Sequence, residues 1–279
     1  MRVAGFGIHR CAACDLEFVH PMPTRAELER FYESAYFHGP GHGYEDYFGA
    51  ERTGSDAKAV ARLERLKSLG LRAGSRTLDF GCADGRFVLG ALSAGHDSYG
   101  VEVSDTARAH ALPSVAPRVW ASLDAARASA PFDLITLWDV LEHIPDALGL
   151  LRELRSLLAH DGWIGVVCPV IDNLNARWLP RTWDQYKPPE HVWFFSRRSL
   201  RAMLERGMHA AVVDESSAWQ RDGRVTEHTR FARSRIARVV RPLDRAVWRT
   251  LTRTGLIRRE QLQDSVMLIA RASASGGLT

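Results

Sequence analysis

The 279-residue chain is 46% hydrophobic and 25% charged, ordinary values for a globular protein with material for a full apolar core. Its net charge of +4 is mild, and with only Lys58, Lys67 and Lys187 as lysines the basic side is almost all arginine, a bias that does not demand a polyanion partner. No apolar run reaches the roughly 20 residues of a membrane helix, MRVAGFGIHRCAAC is unlike a secretory leader, and Cys11, Cys14, Cys82 and Cys168 are too few for a disulfide framework, so a cytoplasmic protein is expected.

Residues 1–54 read as an N-terminal appendage with a CxxC at Cys11 and Cys14, a helix TRAELERFYES capped by Thr24, and the segment YFHGPGHGYEDYFG. Alternation begins at 55. SDAKAVARLERLKSLG spaces its apolar residues as a helix does, with Ser55 or Asp56 as N-cap and Gly70 as the stop. Then come a strand at 76–80, a helix at 85–94, a strand at 97–102, a helix at 104–111 and a strand near Arg118. A helix at 121–129, a strand at 132–138, a helix at 146–159, a strand at 162–169, a helix at 196–207 and strands at 209–214 and 265–272 complete the series. This pattern predicts an α/β protein: a Rossmann-like, doubly wound, mostly parallel seven-stranded sheet with helices on both faces, built from 55–220 and 263–274.

An Arg-rich helical insertion, 221–262, interrupts that domain before the last strand. Its Phe231, Ile236, Val239, Val240, Leu243, Val247 and Leu251 follow helical spacing, and between 230 and 259 ten arginines face one acid, Asp244. Such a segment is a solvated helical face or a peripheral contact with an anionic membrane, although Pro242 interrupts the helix. No nucleic-acid-binding module accompanies the charge, so no nucleic acid is expected.

The stretch SRTLDFGCADGRF, 75–87, runs a short buried strand into a turn with Gly81 and Gly85, then a helix near Arg86. A helix start after a strand suits an anion. A dinucleotide needs G-x-G-x-x-G with a small third position; here Ala83 and Arg86 fill the second and third places, which weighs against NAD or FAD. Glu102, ending the second strand, is placed to accept two ribose hydroxyls, which either an adenine dinucleotide or S-adenosylmethionine would present.

The chain resembles the class I S-adenosylmethionine-dependent methyltransferases of the bacterial small-molecule type. TLDFGCADGRF resembles that family's first motif, FDLITLWDVLEHIPD its fourth-strand motif, and LRELRSLLAHDGWIGVVCP its helix, glycine turn and fifth strand. The resemblance covers roughly 70–215, with 265–272 similar to the closing antiparallel strand. It implies S-adenosylmethionine as cofactor, with Asp79, Gly81, Cys82, Ala83 and Gly85 lining the methionine half, Glu102 and Val103 at the ribose, Ser122 near the adenine, and Trp138 and Asp139 facing sulfonium and acceptor. Ala83 replaces the usual middle glycine, and Ser122-Leu123 stands where many members carry an Asp.

Methyl transfer is an in-line displacement, so alignment and exclusion of water are the main tasks, and a base is needed only if the nucleophile loses a proton. Asp139, His143 and His191 are the catalytic candidates, with His143 equally suited to holding its loop and His191 to a hydrogen-bonded core position. Glu142 and Asp146 read as cap and loop residues. Trp178, Trp183, Tyr186 and Trp193, with His191, would wall a small-molecule acceptor such as a sugar, a lipid precursor or a secondary metabolite; the alternative is that these aromatics pack the loop onto the sheet.

HRCAACDLEFVHPMPT resembles the second half of an N-terminal zinc ribbon found in some of these enzymes, with the first Cys pair missing. Zinc at Cys11 and Cys14 is thus half provided for. Two rivals to the enzyme reading stand beside it: a non-catalytic binding protein on the same fold, and an NAD(P)-dependent oxidoreductase.

Overall fold

Two β-sheets organise the chain. The computed structural model describes residues 1–24, 26–28, 31, 54–178, 180, 183–217, 250–251, 253–254 and 263–273. The larger sheet contains β4 (Arg76–Phe80), β5 (Asp97–Val101), β6 (Val119–Trp120), β7 (Phe132–Trp138), β8 (Leu158–Pro169), β10 (Ala210–Ser217) and β11 (Ser265–Ala272), in the order β10-β11-β8-β7-β4-β5-β6. β11 runs antiparallel to both neighbours, while the pairs β8-β7-β4-β5-β6 are parallel. The order reverses beside β4, which opens a crevice beyond the carboxyl ends of β4 and β7, the place where such sheets bind ligands.

Periodicity places the helices well. α1 (Gly54–Ser68) already includes Ser55 and Asp56, so neither precedes the helix as a cap. α2 (Arg86–Ser93) starts from Gly85, α3 (Asp105–Ala109) from Ser104, whose hydroxyl accepts from the Ala107 amide, and α4 (Leu123–Ala126) follows β6. α5 (Ala147–Leu157) is capped by Asp146, which accepts from the Gly149 amide at 2.9 Å. It ends earlier than its sequence pattern suggests, because Leu158 pairs with Phe132 and begins β8 four residues ahead of Gly162. α6 (Leu174–Trp178) and α7 (Arg197–Met208) complete the described helices, and the Ser196–Ser199 capping box opens the latter.

Strands β7 and β8 are buried on both faces, as a central parallel pair requires: Leu134, Ile135, Leu137, Ile164, Val166 and Val167 have no exposed surface. The smaller sheet is an N-terminal ribbon, β1 (Arg2–Val3), β2 (Phe6–Arg10) and β3 (Glu17–His20), completed by β9 (Trp193–Phe194) from the connection after β8. Thr24 accepts from the Glu27 amide while its own amide donates to Glu27, the cap expected there. Of the Arg-rich segment, only 250–251 and 253–254 are described, so the membrane contact expected over 230–259 lies otherwise outside the described residues. Among the described residues, no helix is long and apolar enough to cross a membrane.

Candidate active site

The turn after β4 is shaped by backbone. Gly81 (φ +74°) and Gly85 (φ +81°) lie in the left-handed region, and a Cβ on either would stand 2.6 Å from Val140 Cγ2 or Val115 Cγ2 respectively. Ala83 adopts φ +49° between them, a strained geometry for alanine that explains why glycine suits its place. The Ala83 amide donates to Glu102 Oε2 at 3.0 Å and the Ser104 amide to Oε1 at 2.8 Å, so Glu102 is aimed at the turn with lone pairs to spare. Burial raises its pKa.

Asp79 closes the turn from below. Its Oδ1 accepts from Thr136 Oγ1 at 2.7 Å, and burial lifts its pKa to about 7 against that bond and the nearby Arg62 charge. Cys82 points away: its sulfur packs against Gly100 and clusters with Val88 and Val115, so only its backbone faces the turn. Arg86 folds onto Asp84, Nε to Oδ2 2.8 Å. Val103 is exposed beside Glu102, and exposed Ser122 precedes α4 without a side-chain cap bond.

Sequence reading missed Arg62. On α1 it sits within the stripe of Ala59, Leu63 and Leu66 that packs inward, its guanidinium 4.3 Å from the Trp138 ring centroid and near the charges of Asp79 and Asp139; desolvation lowers its pKa. A charge on the apolar stripe was the available signal. Trp138 also meets Phe87 edge-on at 5.3 Å, and its buried Nε1 has no hydrogen-bond partner. Asp139 takes φ +57° directly after β7; burial raises its pKa against Arg62 and Lys58.

The second half of the site lies after β7 and β8. His143 directs Nδ1 to the Glu190 carbonyl at 2.9 Å and meets His191 edge-on at 4.6 Å. His191 directs Nδ1 to the Gln185 carbonyl at 2.9 Å. Burial lowers both pKa values, that of His143 to about 4, so both rings are neutral at pH 7. Glu142 is a correction: rather than a cap or loop residue it is buried, with Oε2 accepting from Cys168 Sγ at 3.4 Å and Oε1 lacking a hydrogen-bond partner, and burial raises its pKa. Glu142, His143 and His191 bring ligand atoms within 4.8 Å of one another, a set able to hold a divalent cation.

The candidate aromatics stand in three different places. Trp183 and Tyr186 are buried with Val3, Ile8, Val19 and Phe194, which makes them the core between ribbon and loop; Trp178 is exposed on α6. Trp193 donates from Nε1 to the Ile144 carbonyl at 2.7 Å and packs against Phe18. Cys11 and Cys14 sit in the β2–β3 turn, where the Ala13 and Cys14 amides lower the Cys11 pKa. Among the described residues no third His, Cys, Asp or Glu joins them as a metal ligand. A cavity of about 570 Å³ opens between the ribbon and α6, lined by Arg10, Glu17, Ile171, Arg177 and Tyr186 among others, away from the glycine turn.

A switch point beside β4, a two-glycine turn and a buried Glu102 aimed at that turn belong to a class I methyltransferase fold, whose cofactor is S-adenosylmethionine. The chain belongs to the methyltransferase-domain family, whose model matches residues 52–207. It is 29% identical over 159 residues to a ubiquinone biosynthesis O-methyltransferase of Albidiferax ferrireducens, covering 52% of this chain and 60% of that one. Over 110 residues it is 36% identical to the Xanthomonas axonopodis enzyme of that name, covering 36% and 46%. The chain thus spans about half the length of these relatives. Among solved structures, an S-adenosylmethionine-dependent methyltransferase from Archaeoglobus fulgidus shares the fold (TM-score 0.52, 19% identity, covering 77% of this chain and 94% of that one). So does magnesium protoporphyrin IX methyltransferase from Synechocystis PCC 6803, solved with bound S-adenosylhomocysteine (TM-score 0.51, 15% identity, covering 80% and 85%).

The residues present fit that cofactor. Glu102 retains acceptor capacity for two hydroxyls, Trp138 Nε1 is a buried donor without a partner, and Arg62 is a half-buried cation suited to a carboxylate.

Proposed function

We propose that the chain methylates a hydroxyl oxygen of a small-molecule acceptor, with His191 taking the hydroxyl proton. The observation that carries this reading is His191 itself: a buried, neutral imidazole whose Nδ1–H is fixed on the Gln185 carbonyl, which leaves Nε2 the basic nitrogen. His143, held on the Glu190 carbonyl, packs edge-on against that ring and limits its rotation. The ubiquinone biosynthesis O-methyltransferases it resembles make oxygen the acceptor atom favoured here.

In this scheme Glu102 holds the ribose, the turn from Gly81 to Gly85 leaves room for backbone approach, and Arg62 faces the amino-acid carboxylate. S-adenosylmethionine supplies the transferable methyl group and accepts the electron pair of the broken C–S bond on its sulfur. The protein's own task is to hold the acceptor oxygen near Asp139 and to receive its proton on His191.

Calorimetric titration with S-adenosylhomocysteine is the first test. Saturable binding, weakened about ten- to a hundredfold in Glu102→Ala as two lost hydrogen bonds would dictate, supports the cofactor assignment; absence of binding by folded protein removes it. A panel of phenolic, enolic and sugar hydroxyls, run with and without chelator, then tests the acceptor. Transfer that survives chelation but fails in His191→Gln supports proton removal by imidazole, and transfer abolished by chelation replaces it with a cation held at Glu142, His143 and His191.

A further inference from the structure

We infer that the N-terminal ribbon is the positioning element of His191, gripping the loop on both sides of that residue; this rests on the reading of His191 as the base. Between Asp184 and Val192 the loop has no regular strand or helix of its own. It is held by the ribbon instead. Val192, the next residue after His191, accepts from the Val19 amide at 3.0 Å and donates to the Glu142 carbonyl at 2.9 Å, so its peptide groups join the ribbon to the turn that carries His143. Beyond it, Trp193 and Phe194 pair with Phe18 and Glu17 as β9 against β3.

The other grip is at Tyr186. Its hydroxyl donates to Glu17 Oε2 at 2.5 Å, and it directly follows Gln185, whose carbonyl fixes His191 Nδ1. Trp183 and Phe194 meet the Tyr186 ring edge-on at 4.9 and 4.8 Å, and Val3, Ile8 and Val19 seal this cluster from the ribbon side. One residue, Glu17, therefore serves both grips: its backbone pairs with Phe194 and its carboxylate holds Tyr186. Among the described residues, the ribbon's bonds beyond itself go to Tyr186, Val192, β9 and Arg198, which donates to the Ala13 carbonyl, and none of these lies in the glycine turn. The family match starts at residue 52, so this support comes from outside the shared domain.

The test compares Glu17→Leu, Tyr186→Phe and Glu17→Gln, the last keeping an acceptor for Tyr186. Nitrogen-15 spectra of the histidine rings report the tautomer without needing an acceptor. Wild type and Glu17→Gln should show His191 locked as the Nδ1–H tautomer. Tyr186→Phe and Glu17→Leu should show exchange between tautomers. With an acceptor in hand, turnover should fall by about tenfold or more, the scale of misplacing a catalytic group, with S-adenosylhomocysteine affinity unchanged. An unchanged tautomer in Tyr186→Phe, which loses only one hydroxyl, overturns the inference. Undiminished transfer in His191→Gln instead removes the underlying reading, while the ring spectra still decide who holds His191.

Discussion

The two halves of the site meet at one sheet edge but are built differently. The glycine turn of the cofactor half is local, its Ala83–Glu102 bond spanning 19 residues and its shape written in Gly81 and Gly85, while the Asp79–Thr136 bond beneath it spans 57. The acceptor half is assembled from afar, with His143 reaching Glu190 over 47 residues and Tyr186 reaching Glu17 over 169. A half made by neighbouring residues can keep working when distant packing is damaged; a half made by remote contacts cannot.

The sharpest way to break this division is Trp183→Ala. The ring is buried in the ribbon-to-loop cluster, and its removal should lower stability by about 3–5 kcal/mol, read as the denaturation midpoint. S-adenosylhomocysteine affinity, measured where the variant is folded, should stay at the wild-type value; a loss would show the halves to be one unit. The converse is Gly81→Ala. With φ +74° and Val140 Cγ2 2.6 Å from the new Cβ, it should cost about 2 kcal/mol through backbone strain and contact and weaken cofactor binding while leaving the His191 ring signals in place. Arg62→Met sharpens the cofactor half further. Affinity for S-adenosylhomocysteine should fall about tenfold, the scale of one lost bond to a charged group, but affinity for methylthioadenosine, which has no carboxylate, should not. Equal loss for both would make Arg62 a support for Trp138 instead.

The same contrast governs what the sequence revealed. Strands 76–80, 132–138 and 265–272 match their observed bounds because their patterns are those of buried strands, and the left-handed turn at Gly81 and Gly85 is legible because its demands are local. Trp183 and Tyr186 read equally as a substrate wall or as loop packing because nothing near 183 says that Val3, Ile8 and Val19 cover them. Glu142 reads as a cap or loop residue because a carboxylate three residues before a proline looks the same there as in a buried cluster; only the arrival of Cys168 and the loop at 190–192 decides. Arg62 is not singled out by the helix pattern, because nothing near 62 says that the Trp138 ring lies under its guanidinium.

Asp79 gives a slope with pH instead of a step. Burial lifts the Asp79 carboxyl to about 7, above the roughly 3.9 of an unfolded aspartate. Between those values the folded chain keeps a proton that the unfolded chain has released, so stability attributable to Asp79 is full below about pH 4 and declines as pH rises toward 7. Asp79→Asn cannot titrate, yet its amide oxygen can still accept from Thr136. Denaturant unfolding of both proteins without cofactor, from pH 4 to 8, should therefore give a difference curve in which the variant gains on wild type as pH rises. A flat difference would mean that Arg62 keeps Asp79 ionised in the folded state, and that the cofactor half carries a preformed ion pair where a proton is expected.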